Sequence, residues 1–120
     1  MKEAYLYHYR AVVLDAYDGD TLTVKLDLGL KMFHITKVRL YGVDTPELRG
    51  AERQAGLDAR NVVHELVKGR EVLVRTHKDR KGKYGRYLAE IIFEHPDLDG
   101  PTNLSDYLVA HGHARRVDYG

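Results

Sequence analysis

The spacing of the apolar residues changes partway along this chain, from every second residue to every third or fourth. Leucine or valine stands at positions 22, 24, 26 and 28, which is the period of a strand with one buried face. After Ala51 the apolar residues follow the period of one helical face instead, at Ala55, Ala59, Val62, Val63, Leu66 and Val67. Gly69 is a suitable residue to end that helix. The pattern predicts strands first and then a helix.

Similar patterns predict the remaining elements. An apolar run begins the chain's first strand at Val12, and residues 33–40, 71–76 and 87–93 read as further strands. Asn103 is suited to cap a short second helix that ends at Gly112. Five short strands with a helix after the third fit an OB-fold, a small Greek-key barrel often used for oligonucleotides. We therefore predict a five-stranded barrel with two helices (α+β), in one domain that covers all 120 residues.

The third strand carries a change of phase. Phe33 and Ile35 alternate, and so do Val38 and Leu40, but the two pairs are out of phase by one residue. A β-bulge produces such a shift and bends the strand, as a small barrel requires. We therefore expect a bulge between the two pairs. Arg39 lies between Val38 and Leu40 and is expected to point away from the face that they share.

The composition excludes several classes of protein. The chain has no cysteine, so disulfides and zinc–thiolate sites are excluded. No apolar run approaches the roughly 20 residues of a membrane span, and the N-terminal residues lack the apolar segment of a signal peptide. We expect a soluble protein that makes no membrane contact, located in the cytoplasm or secreted with its signal removed. The net charge is only +1, but basic residues at 78–86 and at 115–116 provide local attraction for a polyanion.

Three short segments carry residues suited to phosphodiester chemistry. Residues 18–21 read Asp-Gly-Asp-Thr and include Asp20, residues 38–47 contain Arg39, Asp44 and Glu47, and residues 83–86 read Lys-Tyr-Gly-Arg and end at Arg86. Carboxylates are hard-oxygen ligands for Ca²⁺ or Mg²⁺, and the planar arginine side chain matches phosphate oxygens in a bidentate manner. A metal with two arginines is the equipment for attack on a phosphodiester.

Each segment alone has a simpler interpretation. Residues 18–21 are typical of a turn, and they do not form an EF-hand because Leu14 would occupy the position that needs an aspartate. Residues 44–47 (Asp-Thr-Pro-Glu) could be a turn that caps its own backbone, and the basic segment could be a solvated loop. The occurrence of all three segments in one short chain favours the functional interpretation.

These segments, in this order and at these separations, resemble the staphylococcal nuclease (thermonuclease) family from about residue 12 to about residue 116. The resemblance implies an OB-fold and a Ca²⁺ cofactor bound by the carboxylates of Asp20 and Asp44 and by the backbone carbonyl of Thr45. It implies that Glu47 acts as the general base toward the attacking water and that Arg39 and Arg86 bind the scissile phosphate. It further implies the residues that contact the nucleotide: Lys83 and Tyr84 at a terminal phosphate, and Tyr119 at the base.

The implied activity is that of a Ca²⁺-dependent endonuclease that hydrolyses DNA and RNA with low sequence specificity, at single-stranded or frayed regions, and leaves 3′-phosphates. A monomer is expected. The chain departs from the family pattern in three places. Gly82 stands where the family commonly has an aspartate, Asp118 competes in register with Tyr119, and the stretch to Gly120 leaves no room for the family's further C-terminal helix.

Two other functions remain open. A non-catalytic OB-fold module that binds nucleic acid would keep the barrel and would be expected to lack one or more of the five charged residues Asp20, Arg39, Asp44, Glu47 and Arg86, all of which are present. A structural domain that only binds Ca²⁺ leaves the two arginines unexplained. Oxygen ligands suit Ca²⁺ and Mg²⁺ alike, so the residues do not choose between these ions.

Overall fold

The computed structural model describes residues 6–81 and 86–118, with the backbone alone at residues 78–81. Its strands, in chain order, are β1 (His8–Ala16), β2 (Thr21–Asp27), β3 (Phe33–Leu40), β4 (Val43–Asp44), β5 (Glu71–Lys81), β6 (Tyr87–Phe93), β7 (Thr102–Asn103) and β8 (Arg115–Arg116). Its two α-helices are α1 (Arg53–Val67), which follows a 3-10 turn at Gly50–Glu52, and α2 (Leu104–Ala110).

The five long strands form a closed barrel. They lie in the order β3-β2-β1-β5-β6 with antiparallel neighbours, and a parallel pairing of β3 with β6 closes the sheet. The short β7 extends the sheet beyond β6, while β4 and β8 pair with each other as a separate ribbon. This architecture confirms the predicted five-stranded OB-fold with two helices.

Both helices cover the barrel as the spacing predicts. Helix α1 buries Ala59, Val63, Leu66 and Val67 against the core, although its buried face also includes Gly56 and leaves Ala55 exposed. Asn103 caps α2, because its side-chain oxygen accepts a hydrogen bond from the Asp106 amide at 3.2 Å. Gly69 and Gly112 follow the two helices with positive φ angles of 77° and 78°, a conformation that favours glycine.

The predicted bulge in β3 is wrong. This strand pairs with β2 in one unbroken register, from Phe33 opposite Asp27 to Arg39 opposite Thr21. Phe33 and Ile35 are 54% and 59% exposed on the outer face, so their alternation with Val38 and Leu40 reflects two faces of a regular strand. The register shifts instead in β1, between Val13 and Asp15.

Four chain segments meet at one end of the barrel. The β2–β3 register sets Thr21 beside Arg39, and the parallel β3–β6 register sets Leu88 on the other side of Arg39. The short β4 continues from β3 and pairs with β8, so that Asp44 lies opposite Arg115. No helix in the part of the chain that the structure describes is long and apolar enough to span a membrane.

Candidate active site

An open cleft of about 740 Å³ lies at this end of the barrel. Six of the residues singled out in the sequence line it: Asp20, Arg39, Asp44, Thr45, Glu47 and Arg86. They come from the start of β2, the end of β3, β4 with the loop after it, and the residue before β6. Residues that are up to 66 positions apart in the sequence (20 and 86) therefore share one concave surface.

Arg39 is shared between two carboxylates. Its Nη2 atom donates to Asp44 Oδ1 and lies 3.4 Å from Asp20 Oδ2, and its Nη1 atom donates to the Val43 carbonyl at 3.3 Å. The side chain of Arg39 is 14% exposed, that of Asp20 is 10% exposed and that of Asp44 is 34% exposed. This arginine therefore offsets much of the repulsion between two carboxylates at the wall of the cleft.

Backbone and hydroxyl groups fix Asp20 further. Its Oδ2 accepts the Thr45 amide at 3.0 Å, and its Oδ1 accepts the Thr21 hydroxyl at 3.3 Å. The loop that holds Thr45 also presses on Gly19, where an added Cβ would lie 2.7 Å from the Thr45 Cγ2 atom. Glycine at position 19 thus allows the Asp20 turn to approach the Asp44–Thr45 segment closely.

Asp18 shapes the turn that presents Asp20. Its Oδ1 accepts the amides of Asp20 at 3.1 Å and Thr21 at 2.8 Å, which closes an Asx turn. Burial, followed by the hydrogen bond and charge of Asp20, raises the pKa of Asp18 to about 6. At neutral pH the turn therefore holds two adjacent carboxylates against their mutual repulsion.

Arg86, the residue before β6, lines the same cleft. Its Nη1 atom donates to the Thr21 hydroxyl at 3.2 Å, and the same hydroxyl donates to Asp20. A short chain of hydrogen bonds thus connects Arg86 to the carboxylates. Two arginine side chains, Arg39 and Arg86, line a cleft in which a phosphate could meet both.

Glu47 lies in the loop after β4 and is exposed to the cleft. Its backbone, in contrast, is held: its amide donates to Glu52 Oε2 at 3.2 Å. The next carbonyl, that of Leu48, accepts from Arg53 Nη1 at 3.2 Å. The carboxylate of Glu47 is therefore presented to solvent by a loop that the start of α1 supports.

The structure adds cleft residues that the sequence did not single out individually. Arg115, from β8, lies 3.7 Å from Asp44 Oδ2 with an 83% exposed side chain, and Arg49 and His113 also line the cleft. The basic pair at 115–116 was visible in the sequence, but its contact with Asp44 arises from the β4–β8 pairing. The three residues predicted to bind the nucleotide, Lys83, Tyr84 and Tyr119, lie outside the described residues.

The donor set fits a hard divalent cation bound by few protein ligands. Residues 6–81 and 86–118 contain no group of three or more histidine, aspartate or glutamate residues arranged to hold a metal. Asp20 and Asp44 nevertheless face each other across Arg39, and the buried Thr45 hydroxyl has no hydrogen-bond partner among the described residues. Oxygen donors of this kind suit Ca²⁺ or Mg²⁺, which complete their coordination with water or phosphate oxygens.

The barrel and its cleft define a small OB-fold domain with an acidic centre flanked by arginines. Residues 37–120 match the family model described as staphylococcal nuclease homologue. Because this match covers more than half of the chain, the protein belongs to that family, whose domains are nucleases or nucleic-acid-binding modules.

A curated relative carries no functional name. The chain is 27% identical over 129 aligned positions to an uncharacterized protein of Methanocaldococcus jannaschii. The alignment covers 90% of this chain and 59% of that protein, so the chain spans somewhat more than half the length of the relative.

Proposed function

We propose that this protein is a Ca²⁺-dependent endonuclease that hydrolyses phosphodiester bonds of DNA and RNA with low sequence specificity. One observation carries the proposal: Asp20, Asp44, Arg39, Arg86 and an exposed glutamate line one cleft. A binding module needs positive charge for the phosphates, but it has no need for a buried carboxylate beside a second one or for an exposed glutamate lining the same cleft.

The carboxylates of Asp20 and Asp44, with oxygen from Thr45, would hold the cation. When bound, Ca²⁺ supplies a Lewis acid that neutralises a phosphoryl oxygen and acidifies nearby water. The chain's own contribution is to orient both carboxylates toward the cleft. It does this through the Thr45 amide, which donates to Asp20, and through Arg39, which contacts both carboxylates.

Glu47 is proposed to accept a proton from the attacking water. It is exposed in the cleft, and its backbone is held by Glu52 while its carboxylate remains open to solvent. A carboxylate is a weak base, so its rate contribution depends on its position relative to the water.

Arg39 and Arg86 are proposed to bind the scissile phosphate. Arginine provides parallel N–H donors that match two phosphate oxygens. Charge on these oxygens increases along the in-line displacement, so donors that are fixed beforehand stabilise the transition state more than the ground state. Cleavage of the P–O5′ bond, with a 3′-phosphate product, is part of the proposal by family resemblance.

A non-catalytic nucleic-acid-binding module is the second candidate, because family membership allows it. A single experiment distinguishes the two candidate functions. Wild type, Glu47→Gln and the control Glu65→Gln, an exposed glutamate of α1 outside the cleft, are incubated with denatured DNA and with RNA in Ca²⁺, in Mg²⁺ and in chelator.

The proposal expects Ca²⁺-dependent cleavage of both substrates by wild type and Glu65→Gln, with cleavage largely lost in Glu47→Gln. Loss of about 10²-fold or more is the expected range for removal of a positioned base. Folded wild-type protein that binds the substrates without cleaving them in any metal would establish the binding module instead.

A further inference from the structure

Gly56 is the fourth residue of α1, at the end of the helix's first turn, where a glycine needs an explanation. Glycine inside a helix costs about 1 kcal/mol relative to alanine. Other glycines of the chain are explained by positive φ, such as Gly69 at 77°, but Gly56 has no such angle. A Cβ atom at position 56 would lie 2.3 Å from the Glu47 carbonyl oxygen and 2.9 Å from the Pro46 carbonyl oxygen. The absence of a side chain therefore lets the Glu47 loop rest directly on the helix.

Two side chains from the same end of the helix hold the same loop. Glu52 Oε2 accepts the Glu47 amide at 3.2 Å, and Arg53 Nη1 donates to the Leu48 carbonyl at 3.2 Å. The backbone of Glu47 is therefore held on both sides of its Cα atom, by a hydrogen bond at the amide and by the close contact with Gly56 at the carbonyl.

The other end of α1 is fixed to the strand that leads to Asp20. His64 Nε2 lies 3.0 Å from the Ala16 carbonyl oxygen, and the Gly69 amide after the helix donates to the Val13 carbonyl at 2.7 Å. Between these ends, Ala59 and Val63 are fully buried in the core. One rigid helix thus connects the loop of Glu47 to the end of β1, four residues before Asp20.

From these contacts we infer that Gly56 is a positioning residue for Glu47, supported by Glu52, and that α1 sets the distance between Glu47 and the Asp20 turn. The inference rests on the proposed function for its catalytic consequence. An alanine Cβ at position 56 would lie 2.3 Å from the Glu47 carbonyl oxygen, whereas ordinary van der Waals contact begins at 3.4 Å. The Glu47 backbone must therefore move by about 1 Å. A displacement of about 1 Å can cost on the order of 10²-fold in rate.

The catalytic test is a double-mutant cycle between Gly56→Ala and Glu47→Gln. Gly56→Ala is expected to lower kcat by about 10- to 100-fold while KM for denatured DNA and the calorimetric Kd for Ca²⁺ stay within about twofold of wild type, since neither the phosphate nor the metal site includes residue 56. In the Glu47→Gln background the same change is expected to cost almost nothing, because the group it positions has already lost its chemistry.

Ala55→Gly serves as the matched control. Ala55 is the exposed neighbour on the same helix, so this change weakens the helix by about 1 kcal/mol without touching the Glu47 loop, and kcat is expected to stay at the wild-type value. If Gly56→Ala fails to fold, Glu52→Ala takes its place in the cycle, because it removes the hydrogen bond to Glu47 from an exposed position.

A second measurement separates failure of this inference from failure of the proposed function. Hydrogen exchange at the Glu47 amide is expected to accelerate at least tenfold in Gly56→Ala and in Glu52→Ala. The Thr45 amide, held by Asp20, is expected to keep its wild-type rate. If the wild type has no nuclease activity but the exchange rates change as expected, the proposed function is refuted and the structural role of Gly56 stands. The positioning role is overturned if Gly56→Ala lowers kcat by the same factor in the wild-type and Glu47→Gln backgrounds. It is also overturned if the exchange rate of the Glu47 amide does not change.

Discussion

Arg39 stabilises the fold by lying between two carboxylates, and its removal should make the protein depend on calcium for stability. In Arg39→Ala, Asp20 and Asp44 face each other without the side chain that contacts both. Removing one partner of a buried ion pair costs about 3–5 kcal/mol. Asp44 is one-third exposed and so partly screened by water, which lowers the expected loss in unfolding free energy to about 2–3 kcal/mol.

Calcium should restore most of this loss. A cation at the two carboxylates supplies the positive charge that the missing guanidinium no longer provides, and at 100 times its Kd a ligand stabilises the folded state by about 2.7 kcal/mol. In the wild type, Arg39 already offsets part of the negative charge of the same carboxylates. Under the proposed function calcium should therefore stabilise the wild type less than the variant.

The assay is urea unfolding of wild type, Arg39→Ala and Arg115→Ala, in chelator and along a Ca²⁺ series. Arg115 contacts Asp44 at 3.7 Å from an 83% exposed side chain, so its removal should cost at most about 0.5 kcal/mol and serves as the control. A loss of less than about 1 kcal/mol in Arg39→Ala, or a calcium response no greater than that of wild type, would refute the argument that the arginine and the cation serve the same carboxylates.

Two further changes test the cleft. Arg86→Ala should lower kcat by about 10²–10³-fold, the range for one preorganised donor to a developing anion, whereas Arg75→Ala, outside the cleft, should leave kcat unchanged; a loss below about tenfold at Arg86 would contradict phosphate binding. Asp18→Asn should raise the unfolding free energy at neutral pH in chelator. The pKa of Asp18 is raised from 3.8 to about 6 in the fold, so wild-type stability falls as pH rises between these values. Urea unfolding at pH 4.5 and 7.5 measures this, and an equal decline in the variant would exclude Asp18 as its source.

Local patterns in the sequence were enough to predict most of the barrel. Three predictions depended only on residues close together in the sequence, and all three are confirmed. They are the period of two over β2, the helical spacing before Gly69 and the cap at Asn103. The prediction of a bulge in β3 was wrong because alternation shows which residues share a face of the strand but does not show which face is buried. Phe33 and Ile35 are apolar but exposed, so the assumption that every apolar residue of the strand points into the core produced the false change of phase.

The cleft was predictable in its residues and not in its contacts. Motif spacing indicated Asp20, Arg39 and Asp44, and the structure brings them together. Nothing local in the sequence encodes the proximity of Arg115 to Asp44, which depends on strands about 70 residues apart in the chain (44 and 115). The contact between Gly56 and Glu47 is equally invisible, because a helical glycine reads as a weak point until the neighbouring backbone is known.

The strand pairings at the cleft also bear on the order in which its contacts form during folding. Asp44 is bordered by residue 115, and Arg39 lies beside Leu88 through the parallel closure of the barrel. Contacts between residues distant in sequence form later than local ones, and a chain emerging during synthesis presents its N-terminal residues first. The first three strands can therefore pair before the cleft has its second wall. Asp20, Arg39 and Asp44 can meet at that stage, whereas Arg86 reaches them only when β6 closes the barrel. Under the proposed function, a chain that has not yet reached β6 therefore lacks one of the two arginines that would bind the scissile phosphate.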